Sequence, residues 1–140
     1  FKTGGAGVPH LREGWGVPEP GGVWSLGKRA VVDMPITASQ RALASASLQV
    51  AAFAFLPEES PRRTITVSIQ GAPPQTHAFY RNDGVRHDFM LKLPAQALKN
   101  DTVRVTFDIK DPETPRQLGL GPDDRMLGAG LEAMRIIPTP

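Results

Sequence analysis

Apolar residues recur at every second position through most of this chain, and Pro, Gly, Asn or Asp interrupts the pattern roughly every eight to twelve residues. The cleanest stretch is Thr64 to Gln70, where Ile65, Val67 and Ile69 face one way and Thr66 and Ser68 the other. A period of two belongs to a strand, whose successive side chains leave opposite faces. Thr102 to Lys110 repeats it with Val103, Val105, Phe107 and Ile109, and Arg86 to Leu93 with His87, Phe89, Leu91 and Leu93. Lys28 to Ile36 sets Ala30, Val32, Met34 and Ile36 against Arg29, Val31 and Asp33, as a half-buried strand requires. Val23 to Leu26, Ser47 to Leu56, Gln75 to Arg81 and Met126 to Pro138 complete a set of roughly seven to nine strands. Ser47 to Leu56 turns apolar on both faces in its second half and should lie centrally in a sheet.

The connections between these strands are short. Thr37 to Ser45 is a small, polar link, Gly71-Ala72-Pro73-Pro74 is a break, and Pro94 to Lys99 has room for one helical turn. Asn82-Asp83-Gly84 supplies the residues of a hairpin loop between two neighbouring strands. No helix of crossover length intervenes, so antiparallel pairing follows. The expected fold is all-β: a jelly-roll-like antiparallel sandwich, with an immunoglobulin-like sandwich as the alternative. The cysteines of true immunoglobulin domains are absent.

A chain of 140 residues suits a single domain, spanning 1–140, that buries a sufficient core without metal or disulfide. The lack of Cys removes thiol catalysis and thiolate zinc sites. Sixteen basic and fourteen acidic residues give a net charge of +2, and the basic ones are scattered, with Lys28-Arg29 and Arg62-Arg63 the only adjacent pairs. That distribution argues against a nucleic-acid partner and reads as solvated surface charge. No apolar run nears the ~20 residues of a membrane span, so this segment should not insert in a bilayer. The chain opens on Phe1, which points to a piece of a longer protein, and residues 1–13 read as a loose or edge lead-in.

Catalytic patterns are few. There is no Gly-x-Ser-x-Gly elbow, no His-Glu-x-x-His and no P-loop, so catalysis is not expected in this segment. His77 and His87 fall on adjacent strands of the expected hairpin and, with Asp88 or Asp83, could hold a metal or serve a small β-fold enzyme. Each is better read as a partly buried histidine with a local hydrogen-bond partner. Asp123-Asp124 in a loop could offer oxygens to calcium, though a turn cap paired with Arg125 explains them as well. No other cofactor is suggested.

The stretch Gly14 to Gly27 holds both tryptophans, with Glu19 between Pro18 and Pro20. The prolines stiffen it and push Val17 and Glu19 toward extended backbone. It reads as a structural corner or as a recognition surface, since an indole offers a flat apolar face with a donor at its edge. Aromatic rings beside planar polar groups are suited to sugars, and Trp15, Glu19, Trp24, Tyr80, Asn82, Asp83 and Arg125 are the candidates.

Gly14-Trp15, Pro18-Glu19, Gly22-Val23-Trp24-Ser25 and Gly27 resemble the opening motif of jelly-roll domains appended to bacterial membrane sugar transferases and related envelope-polysaccharide proteins. Leu118-Gly119, Asp123, Arg125, Leu127-Gly128 and Leu131 are similar to that group's closing motif. Two positions depart from it: Gly16 stands where Ser is usual, and Gly21 where a second Trp is usual. The resemblance implies a non-catalytic, carbohydrate-binding-like accessory domain on the periplasmic side of the inner membrane. Its partners would be an oligosaccharide or polysaccharide and the other domains of the parent membrane protein. The alternative is a structural or protein-interaction sandwich with no glycan ligand. Pairing of the two motifs suggests an ion pair between Glu19 and Arg125 that joins the ends of the sandwich.

Overall fold

The computed structural model describes residues 1–70, 72–84 and 86–139. Among these residues eight strands form: β1 (Val23–Leu26), β2 (Arg29–Pro35), β3 (Ala46–Ala54), β4 (Arg62–Ile69), β5 (Gln75–Tyr80), β6 (Arg86–Leu93), β7 (Thr102–Ile109) and β8 (Leu127–Pro138). They make two four-stranded sheets, ordered β1-β8-β3-β6 and β2-β7-β4-β5, with antiparallel pairing throughout. The strands pair as a nested set, β1 with β8, β2 with β7, β3 with β6 and β4 with β5, which is a long hairpin rolled into a sandwich. That is the jelly roll. Among the described residues the one α-helix is a single turn, α1 (Ala38–Arg41), closed by a capping box between Thr37 and Gln40.

Inward positions of both sheets fill the core, among them Val23, Val32, Leu48, Val50, Ile65, Val67, Phe79, Val103, Val105 and Leu131. Burial along β3 and β4 alternates as the sequence pattern requires. β3 lies between β8 and β6, in the central place its apolar composition predicts.

Three expectations need correction. Asn82 to Gly84 does not close a hairpin, because β5 pairs with β4 in one sheet and β6 with β3 in the other. The connection crosses the sandwich, as most connections of a jelly roll do. Val31 is buried rather than facing solvent; residues 11–13 run along the free edge of β2, with Arg12 N–H donating to Val31 O at 2.8 Å and Val31 N–H to Glu13 O at 3.0 Å. Arg63 is not surface charge: it is 2% exposed and lies inside β4 on the same face as Ile65. The break read at Gly71 lies outside the described residues.

Candidate functional site

The opening stretch closes one edge of the sandwich. Residues 11–13 follow β2 in one sheet, and Trp15 to Glu19 pair with Ser25 to Gly22 in the other. At the crossing, Gly14 has φ +88°, and a Cβ there would strike the backbone of Arg29 and Ala30. Only glycine fits such a place. Trp15 then turns inward: its Nε1–H donates to Val31 O at 2.8 Å and its ring meets Phe107 edge-on at 5.8 Å. With its donor spent and its ring against the core, Trp15 holds the corner rather than offering a stacking face.

The stretch reverses at Pro20-Gly21, where Glu19 and Gly22 exchange backbone hydrogen bonds of 2.7 and 3.1 Å. Glu19 there accepts from Arg125 Nη1 at 3.1 Å, so the ion pair between opening and closing motifs exists. Arg125 also grips Asp123 through Nε and Nη2, at 3.0 and 2.7 Å. These contacts, with the Arg125 backbone N–H, hold the Asp123 carboxyl at about 2 and raise the pKa of Arg125. Both groups of the Glu19–Arg125 pair are more than a third exposed, so solvent screens most of its contribution to stability. Both Asp123 oxygens accept from Arg125, the pairing read as the alternative to a calcium site, and Asp124 is exposed beside them.

The remaining candidates do not converge with these. Tyr80 ends β5 on the outer face of the opposite sheet, with Arg62 Cζ 5.4 Å from its ring centroid, and Asn82 and Asp83 follow it in an exposed turn. His77 and His87 face each other between the sheets, with ring centroids 5.8 Å apart. His77 stacks on Phe89 at 4.3 Å and meets Phe79 edge-on at 4.9 Å. The Nε2 atoms of both histidines are buried without a hydrogen-bond partner, contrary to the expected local partners. The reason is that aromatic rings, not polar groups, surround them. Burial, then the nearby His87, push the His77 pKa below its ordinary value. Asp88 points outward and pairs with Arg86. Among the described residues no group of three or more His, Asp or Glu is placed to hold a metal.

One surface does bring planar polar groups and flat apolar area together. The register of the β1-β8-β3-β6 sheet arranges its outer face in rows. One row is Trp24, Gly130, Phe53 and Arg86; the next is Ala133, Ala51 and Asp88; the third is Arg135, Gln49 and Met90. Trp24 meets Phe53 edge-on at 4.7 Å, and the Phe53 ring lies over Gly130. Ala133 and Ala51 are too small to fill their row, which leaves a depression of about 270 Å³ rimmed by Gln49, Arg86, Asp88 and Arg135.

The register shifts in the β3–β8 pairing between Ala51 and Ala52, which leaves Glu132 as an extra residue on β8. Glu132 anchors the rim by accepting from Arg86 Nη1 at 3.1 Å. Of this surface the sugar-binding candidates contained only Trp24, and Asp88 was a candidate only for a metal. Outward parity on each strand was readable, but which outward residues become neighbours depends on register.

No family model matches the chain, and no curated protein does. Among solved structures, it is similar to part of a family GH115 4-O-methyl-alpha-glucuronidase with specificity for decorated arabinogalactans, at 11% identity and a TM-score of 0.52. That match covers 87% of this chain and 15% of the enzyme. It is also similar to part of an uncharacterized protein from Listeria monocytogenes, at 20% identity and a TM-score of 0.49, covering 91% of this chain and 11% of the other. The chain spans a small share of either protein, and its likeness to the glucuronidase is one of fold.

Proposed function

We propose that this chain is a non-catalytic, carbohydrate-binding-like accessory domain, and that the outer face of the β1-β8-β3-β6 sheet is its glycan surface. The observation that carries the reading is the row arrangement: an alanine-floored trough edged by planar amide, guanidinium and carboxylate groups, with Trp24 and Phe53 in the neighbouring row. An apolar floor covers the C–H face of a pyranose, and planar polar groups fix its hydroxyls with directed hydrogen bonds. The rim carboxylate Asp88 and the neighbouring Glu132 both pair with Arg86, a use that suits holding a chain better than cleaving it. The shared fold with a segment of an enzyme specific for decorated arabinogalactans supports a glycan-related role. The setting is the one that the opening and closing motifs resemble: a domain of a bacterial envelope-polysaccharide or sugar-transfer protein, outside the inner membrane. Among the described residues no helix is long and apolar enough to cross a membrane.

Titration of a panel of polysaccharides, followed by tryptophan emission and calorimetry, tests the reading. Saturable binding to one glycan class is expected, and Ala51→Leu with Ala133→Leu should abolish it while costing about 0.5 kcal/mol or less of stability each. Binding that survives the filled trough places the ligand elsewhere. No binding by any glycan returns the chain to the structural or protein-interaction reading.

A further inference from the structure

We infer that the glycan surface selects an acidic sugar, and that Arg135 and Gln49 receive its carboxylate. The inference rests on the glycan reading above and concerns the third row of the same face. Arg135 Nε donates to Gln49 Oε1. That bond spends the acceptor of the amide and leaves the Gln49 NH₂ and both Arg135 terminal nitrogens, all donors, on this side of the trough. A sugar hydroxyl both donates and accepts, whereas a carboxylate only accepts. A donor-only cluster therefore complements a carboxylate, and the planar guanidinium matches its two oxygens.

Charge leads to the same class of ligand. Arg86, across the trough, and Lys2 together balance Asp88 and Glu132, and Arg125, Arg104 and Arg63 also have carboxylate partners. Arg135 has none among the described residues, and its bond to Gln49 fixes it in place. As the one cation on the rim without a carboxylate partner among the described residues, it suits one negative charge. A dianionic phosphate would carry a surplus charge toward Asp88, two strand spacings or roughly 10 Å away.

The test compares an oligogalacturonate with its methyl ester, a neutral galactan and a phosphorylated mannan on the wild-type chain and on Arg135→Gln. The expected result is about tenfold tighter binding of the acid than of the ester, weakening with added salt, with the preference lost in Arg135→Gln. Equal binding of acid and ester overturns the inference and leaves the glycan reading standing. Failure to bind any glycan, neutral ones included, overturns both. Tighter binding of the phosphorylated mannan than of the uronate overturns the carboxylate assignment. The acid–ester comparison needs no variant, so a poorly folding Arg135→Gln does not blunt it.

Discussion

Arg63 shows how much one side chain can organise. Its guanidinium sits in the interior at one end of the sandwich and donates to Phe55 O at 3.0 Å, to Glu113 Oε1 at 3.0 Å and to Asp111 O. Phe55 precedes β4 in the β3–β4 connection, while Asp111 and Glu113 belong to the long β7–β8 connection, so one residue fastens two loops. Arg63→Ala removes the donor and strands two carbonyls and a carboxylate. The expected loss is about 3–5 kcal/mol in urea unfolding, with Arg63→Lys losing less. A loss under about 1 kcal/mol for the alanine variant would show that the loops hold without it. The alternation of Ile65, Val67 and Ile69, extended back by two, places Arg63 inward. Its charge and its neighbour Arg62 point instead to a solvated turn. Parity was the better guide, because a guanidinium surrounded by acceptors satisfies itself in the interior.

At the scale of elements, strand existence and facing were legible, while register was not. The strand period puts Phe53 on the same face as Gln49 and Ala51, but does not show that it lands on Gly130 of β8 and beside Gly22. A Cβ on Gly130 would occupy the place of the Phe53 ring. The glycine is therefore needed for close packing at that position rather than for a turn. Gly130→Ala is expected to cost about 1–3 kcal/mol by overpacking. It should also shift Trp24 emission to the red, since the Phe53 ring that it displaces covers the indole. In a Phe53→Ala background most of that cost should vanish, and a double-mutant cycle reads the coupling directly. Additive costs would mean that Gly130 serves the backbone of β8 and not the ring. The same blindness to register explains the candidate site. Trp15, Trp24, Glu19 and Arg125 were found through their motif, whereas Gln49, Ala51, Arg86, Ala133 and Arg135 are unremarkable until three strands bring them side by side.

A two-sheet sandwich has two open flanks, and this one closes them by different means. The β1–β2 flank is bridged by backbone, as residues 11–19 pair with one sheet and then the other. The β5–β6 flank is wedged by side chains: His77 and Phe79 from one sheet, His87 and Phe89 from the other. His77 in its aromatic wedge makes that flank sensitive to protons. Among the described residues the other charged group on the inner face nearby is Arg63, beside Phe79 in the β4–β5 register, and it is paired with Glu113. The His77 pKa lies below its ordinary value of about 6.5. Below that pH the unfolded chain binds the proton more readily than the folded one, so stability is full above about pH 6.5 and falls as the pH drops toward the folded value. Asp33 and Asp123 are also depressed, but their contributions are lost only below the ordinary carboxylate value of about 3.9, a separate window. Urea unfolding from about pH 7.5 to about pH 4.5 should therefore show a decline in the wild-type chain that His77→Phe, which keeps an aromatic ring against Phe89, largely removes. Parallel declines in the two proteins would mean that the wedge does not carry the proton linkage. The β5–β6 flank would then be held by its rings alone.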